Sequence, residues 1–279
     1  MMEWPESHVM AEQMQKTLQG RRVERVVVGH TPHKFAFFSD EPEAYAEKLI
    51  GACVERAAAQ SGLVELSLGP WRLLFGDGAR PRYIEPGARP PARHQLLLEF
   101  DDGAALCGTT QMYGMYYLTP PEVSDNPYVQ VAREKERTAS PLSAAFDRAY
   151  FDALFTLVKP STSIKALLAT EQRIPGLGNG VLQDILLHAR LHPKAKALKL
   201  NQAQRERLFN SVKATLARMT ESGGRDTEKD FFGRPGGYPT LLSAKTWKGP
   251  CPLCGGTIDK TAFLGGNVYA CRHCQTLAE

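Results

Sequence analysis

The sequence predicts an α+β fold: an antiparallel β-sandwich or barrel first, a helical region after it, and a small cysteine-rich appendage last. Three observations carry this reading. Short strand-like runs broken by turn residues fill the chain as far as residue 120. Apolar residues at helical spacing dominate from residue 144 to residue 221. Four of the six cysteines stand at positions 251, 254, 271 and 274.

The elements follow in order. Met10, Met14 and Leu18 recur every four positions ahead of Gly20, which predicts a helix over 6–19. From Arg22 the pattern changes to strand, with β-branched Val23, Val26, Val27 and Val28, and with Phe35 and Phe37 at period two. Residues 43–60 read as a helix, with Ala44, Leu49 and Val54 on one side. Five strand-like runs come next: Leu63–Leu68, Trp71–Phe75, Gln95–Phe100, Ala104–Gly108 and Met115–Leu118. Gly69-Pro70, Gly76-Asp77-Gly78 and Asp101-Asp102-Gly103 read as turns between them, and 86–91 as an irregular loop. Such short, punctuated strands suit an antiparallel sandwich or barrel. Prolines and charges over 121–142 mark a linker. Helices are then expected over 144–157, 162–172, 180–190 and 202–221. The last is the clearest, with Asn201 as its cap, Gln204 at the capping-box position and a stripe of Leu208, Val212 and Leu216. Gly223-Gly224 ends it, and 223–249, rich in glycine, reads as loop.

Composition narrows the class. At 43% hydrophobic and 23% charged residues, the chain can bury a sizeable core and is not intrinsically disordered. There is no run of about 18 apolar residues, so no membrane span is expected. Residues 1–7 carry two acids and lack a basic region followed by an apolar one, so they do not read as a signal peptide, and a cytoplasmic setting is expected. A net charge of +4 permits a polyanionic partner without demanding one. Cys53 and Cys107 lie in apolar surroundings as small hydrophobes.

The remaining cysteines are different. Cys251-Pro-Leu-Cys254 and Cys271-Arg-His-Cys274 are two C-x-x-C pairs separated by sixteen residues. Each pair turns two sulfurs to one side, and two such turns complete a tetrahedral thiolate set. The glycines, Ile258, Phe263, Val268 and Tyr269 between the pairs describe a hairpin. Four sulfurs leave no open coordination position, so one structural zinc ion is expected.

A second feature is the turn Ile174-Pro175-Gly176-Leu177-Gly178-Asn179-Gly180 between two helical stretches. Here Asn179 can cap the helix that runs to Arg190. A helix N-terminus is also a seat for phosphate. A basic segment (Lys194, Lys196, Lys199) and a zinc hairpin in the same chain favour the second use.

These motifs together resemble the formamidopyrimidine-DNA glycosylase and endonuclease VIII family over nearly the whole chain. The resemblance is carried by Ser163-Ile-Lys165-Ala-Leu-Leu, by Pro175 to Gly180, by His192-Pro193, by Gly223-Gly224 with Lys229-Asp230-Phe231, by the cysteine hairpin with Cys274-Gln275, and by Glu3-Trp-Pro5-Glu6. It implies an N-terminal β-sandwich flanked by helices (1–120), a helix–two-turn–helix DNA-binding domain (143–222), a loop (223–249) and a zinc-finger hairpin (250–279), with duplex DNA in the cleft between. It implies base-excision repair of a damaged base or abasic site by a monomer, in the cytoplasm and at the nucleoid. In the family an N-terminal amine attacks the sugar C1′, the base leaves, and elimination from the resulting Schiff base cuts the strand.

Residue by residue, Glu3 matches the family's catalytic glutamate, and Met2 stands where the family has its proline nucleophile. Lys165, Gly178 and Asn179 match the phosphate-contacting residues, and Tyr113, with Met112 before it, matches the aromatic that wedges into the duplex. Four positions depart: Met2 for proline, Gln111 or Met112 for the arginine before the wedge, Gly266 for the hairpin arginine, and a position near Leu63 for a lysine. Those losses leave a second reading open, a damaged-DNA-binding protein without catalysis. A third is a zinc-ribbon module for RNA or protein.

Overall fold

The computed structural model describes residues 2–120, 138–156, 158–275 and 277. They form two compact units. The first lies within Met1–Glu136 and Thr227–Gly236, the second within Arg137–Asp226 and Gly237–Glu279. Most of the linker expected over 121–142 falls outside the described residues.

The first unit opens with helix α1 (Trp4–Leu18). Glu3 caps it in extended backbone, Pro5 occupies its first turn, and Glu6 and Glu3 close a reciprocal capping box. The expected stripe of Met10, Met14 and Leu18 is buried. Strands β1 (Val23–Val28) and β2 (Ala36–Phe38) follow, then α2 (Pro42–Leu49). The helix expected over 43–60 therefore ends early. Gly51, at φ +83°, turns the chain, and Val54–Gln60 forms β3, whose Ala57 and Ala59 pair with Leu66 and Val64 of β4 (Leu63–Leu68). Small residues at helical spacing do not outweigh the strand partners that the following run supplies.

Two long strands organise the sheet. The runs read as separate strands over 104–108 and 115–118 are one strand, β7 (Ala105–Thr119), and Gly76-Asp77-Gly78 lies inside β5 (Trp71–Ile84) rather than at a turn. With β6 (Leu96–Phe100), the order is β1-β6-β7-β5-β4-β3, and β2 pairs with β7 in parallel, giving seven hydrogen-bonded strands among the described residues. β6 meets β7 at 105–108 while β4 meets β5 at 71–75, so the two halves of the sheet share only the β5–β7 ribbon. Both halves feed one core: Val23, Leu96, Leu98, Phe100 and Leu106 from one, Leu66, Phe75, Tyr116 and Leu118 from the other.

The ribbon changes register midway. Asp77 pairs with Gly114 and Ala79 with Thr110, so Gly78 alone faces Gln111, Met112 and Tyr113. Two extra residues on β7 form a protruding bulge. A Cβ on Gly78 would stand 2.6 Å from the Tyr113 carbonyl oxygen, so this close approach admits only glycine.

In the second unit, α3 (Arg148–Ala153) is shorter than expected, and a single π-type turn, Ala166–Thr170, replaces the helix expected over 162–172. Helices α4 (Asn179–Ala189) and α5 (Gln202–Glu221) form as expected, burying Leu182, Ile185 and Leu186 with Leu208, Val212 and Leu216. Asn201 and Gln204 make the expected capping box at 2.9 Å each way. The hairpin of β8 (Ile258–Phe263) and β9 (Gly266–Cys271) closes the unit through Leu264 and Gly265, both at positive φ.

Candidate functional site

The cysteines come together. The sulfurs of Cys251, Cys254, Cys271 and Cys274 lie within 4.8 Å of one another, with Cys251–Cys274 at 3.9 Å and Cys254–Cys271 at 3.5 Å. Zinc–thiolate bonds of about 2.3 Å in a tetrahedron require sulfurs about 3.8 Å apart, so the set fits one such ion. Backbone N–H groups of Gly256 and Cys274 point at the Cys254 and Cys271 sulfurs, 3.4 Å each, and would balance thiolate charge. The knuckles fold because Gly255 takes φ +72° and Cys251 exchanges backbone bonds with Gly255 and Gly256. Gln275 fixes the cluster to the helices, accepting from the Cys271 N–H and donating to the Leu191 carbonyl.

The hairpin tip meets the start of α4. Gly178, not Asn179, is the N-cap, and Asn179 is the first helical residue. The Asn179 amide instead donates to the Asn267 carbonyl at 2.9 Å, while its Oδ1 is shielded and unpartnered. The capping role expected of Asn179 is thus replaced by a bond to the hairpin, which positions the side chain beside the helix end. Gln183 ties the same parts together, donating to the Asn179 and Asn267 carbonyls and accepting from the Tyr269 N–H. Lys165 is 2% exposed and donates to the Phe263 carbonyl at 2.6 Å; burial holds its ammonium below the ordinary lysine range. A side chain at Gly266 would rest 3.4 Å from the Asn179 amide nitrogen and 3.7 Å from Lys165 Nζ. Lys165, Gly178 and Asn179 therefore gather at one place. Gln183 was missed because a glutamine within a helix carries no sequence signal.

In the first unit the bulge presents Met112 and Tyr113, 67% and 49% exposed. Phe35 lies 4.8 Å from the Tyr113 ring and Phe37 6.5 Å from it, both between ring centroids, so the wedge candidate belongs to an aromatic group rather than standing alone. Those two phenylalanines read as an ordinary strand in the sequence, and only the parallel pairing of β2 on β7 brings them here.

Met2 lines a cavity of about 180 Å³ in the same unit, and Glu3 follows it in the chain without lining that cavity. Met2, Glu6, Arg80, Arg82, Lys229 and Asp230 are among its lining residues. Glu3 is 5% exposed, and its N–H donates to Glu6 Oε2 at 3.2 Å. The Met2 N–H donates to the Asp77 carbonyl at 3.3 Å. Lys229 and Asp230 reach the cavity because Thr227–Gly236 packs with this unit. Gln13 bonds both Asp230 and the Phe231 N–H, Phe231 is fully buried, and its carbonyl accepts from the Tyr83 N–H at 2.8 Å.

Known proteins match this architecture. A sequence model of the formamidopyrimidine-DNA glycosylase H2TH domain matches residues 138–230. Formamidopyrimidine-DNA glycosylase of Symbiobacterium thermophilum is 28% identical over the whole chain and 90% of its own length. That of Pelotomaculum thermopropionicum is 30% identical over 68% of each chain. The fold matches that of Lactococcus lactis Fpg, solved in complex with abasic-site DNA, at a TM-score of 0.82 and 20% identity over 98% of this chain and 99% of that one. The H2TH match, the relatives that align along the chain and the shared fold agree, and the chain belongs to the formamidopyrimidine-DNA glycosylase family.

Proposed function

We propose that the protein is a base-excision repair DNA glycosylase with abasic-site lyase action, working as a single chain on duplex DNA in the cytoplasm. The observation that carries this is the cavity ending on Met2. It has room for one ring system, it is lined by both acids and cations, the buried Glu6 among them, and Glu3 is the residue next to Met2 in the chain. A base must leave the stack to enter such a space.

Met2 supplies the reacting amine in this reading, which requires a mature chain beginning at that residue; intact-mass measurement of the purified protein checks it. The neutral amine adds to C1′ and the C1′–N bond breaks, the base departing with a proton. Glu3 protonates the ring oxygen as the sugar opens to the imine. Loss of the C2′ proton expels the 3′ phosphate, and water releases the amine. An α-amine with a pKa of about 8 is partly neutral at pH 7, so a proline is not required for this chemistry.

Lys165, Gly178 and Asn179 hold the phosphate backbone, and Tyr113 with Met112 enters the stack. The four cysteines hold one structural zinc ion, whose contribution is to fix the hairpin against α4.

Borohydride trapping on an oligonucleotide duplex carrying an abasic site tests the reading. A covalent adduct is expected; on a duplex that carries a damaged base instead of an abasic site, the adduct should be lost in Glu3→Gln, where ring opening needs the proton donor. A wild-type protein that binds the duplex but gives no adduct, with both possible N-termini assayed, would make it a damaged-DNA-binding protein instead.

A further inference from the structure

The Gly76-Asp77-Gly78 segment is unusual beyond its role in the bulge. Asp77 is one of five described non-glycine residues with positive φ, at +55°. It sits between two glycines that are themselves buried: a Cβ on Gly76 would meet Leu63 and Met115 side chains at 2.5 and 2.8 Å, and one on Gly78 the Tyr113 carbonyl. The left-handed conformation is less favourable for aspartate than for glycine, and glycine is already used on both sides. The conformation has a visible product. It directs the Asp77 carbonyl to the Met2 nitrogen, 3.3 Å away, on the strand whose next residues, Ala79 and Arg80, line the cavity. The opposite strand at the same register carries Gly114, next to Tyr113.

We propose that Asp77 is a positioning residue for the reaction, its left-handed backbone holding the Met2 nitrogen at the cavity through the main-chain carbonyl. The inference rests on the reading that this nitrogen is the reacting amine. The turn at Asp77 faces the start of the chain, while the neighbouring Gly78 alone accommodates the bulge that carries Tyr113 and stays intact when position 77 is changed. A reacting group displaced by about 1 Å can lose 100-fold in rate, which is the scale of benefit such an anchor supplies.

The test is a series at position 77 in the full chain, ranked by tolerance of positive φ. Single-turnover trapping on abasic-site duplex is measured beside equilibrium duplex affinity. The trapping rate should fall least in Asp77→Gly and Asp77→Asn, further in Asp77→Ala, and by about 30- to 100-fold in Asp77→Val, while duplex affinity stays within about 3-fold throughout. Should the valine variant not fold, the glycine, asparagine and alanine members still give the ranking. Asparagine as slow as valine would assign the effect to the carboxylate and overturn the proposal. Equal rates across the series, or affinity falling in step with rate, would overturn it too. A wild-type protein that forms no adduct defeats the enzymatic reading, and this one with it. A wild type that traps normally beside an indifferent series defeats the positioning role alone.

Discussion

Asn179 shows how one side chain divides its work. One amide proton is committed to the Asn267 carbonyl, which leaves the second for an incoming acceptor next to the start of α4. In the proposed DNA complex a phosphate there would meet a helix dipole, an amide and the nearby Lys165 ammonium, and no base edge. Asn179→Ala should therefore weaken duplex binding about 5- to 10-fold, equally for two unrelated sequences, in fluorescence anisotropy at fixed salt. An effect confined to one sequence, or none, would reduce Asn179 to a strut for the hairpin. Its helical neighbourhood was legible in the sequence, since glycines, a proline and an asparagine before an apolar stripe announce a helix start. Its side-chain direction was not, because the hairpin that captures it lies 88 residues further along the chain. The same reason hid the Asp77 contact to Met2. Gly-Asp-Gly looks like a turn when read alone, and only pairing with β7 makes it the interior of a strand.

Among the elements, the β8–β9 hairpin was the most legible and is the least self-sufficient. Two cysteine pairs at knuckle spacing announce it, yet its six-residue strands bury few apolar side chains beyond Ile258, Val268 and Tyr269. A zinc ion held by the four sulfurs, as proposed above, would supply much of its folding free energy. Cys251→Ser should lower zinc content well below one per chain by atomic absorption and abolish slow amide exchange over 258–271. It should also weaken duplex affinity, because Lys165 and Asn179 lose the carbonyls of Phe263 and Asn267 that orient them. Full zinc occupancy in that variant would argue against a four-sulfur site. The β3 strand is the opposite case: its alanines favour a helix intrinsically, and long-range pairing with β4 overrides that preference.

For the whole molecule, pH acts through histidines. Burial holds His8, His188 and His192 below their usual value of 6.5, helped by Arg218 at His188 and Lys194 at His192. The unfolded chain takes up these protons as pH falls through about 6.5 and the folded chain resists, so stability is full above that value and declines below it. Urea unfolding at pH 8, 7, 6 and 5 should show that decline, and His8→Gln should make it shallower; a flat profile would mean that the three rings protonate alike in both states. The fold class and the order of sheet, helices and hairpin were readable from local pattern. The partition was not, because the glycine-rich run after α5 has no periodicity to show which core it serves. Phe231 completes the sheet's core from a segment that follows the helices in sequence. During synthesis, then, the earlier half emerges with its core still lacking this plug, which the ribosome adds only after the helices have been made.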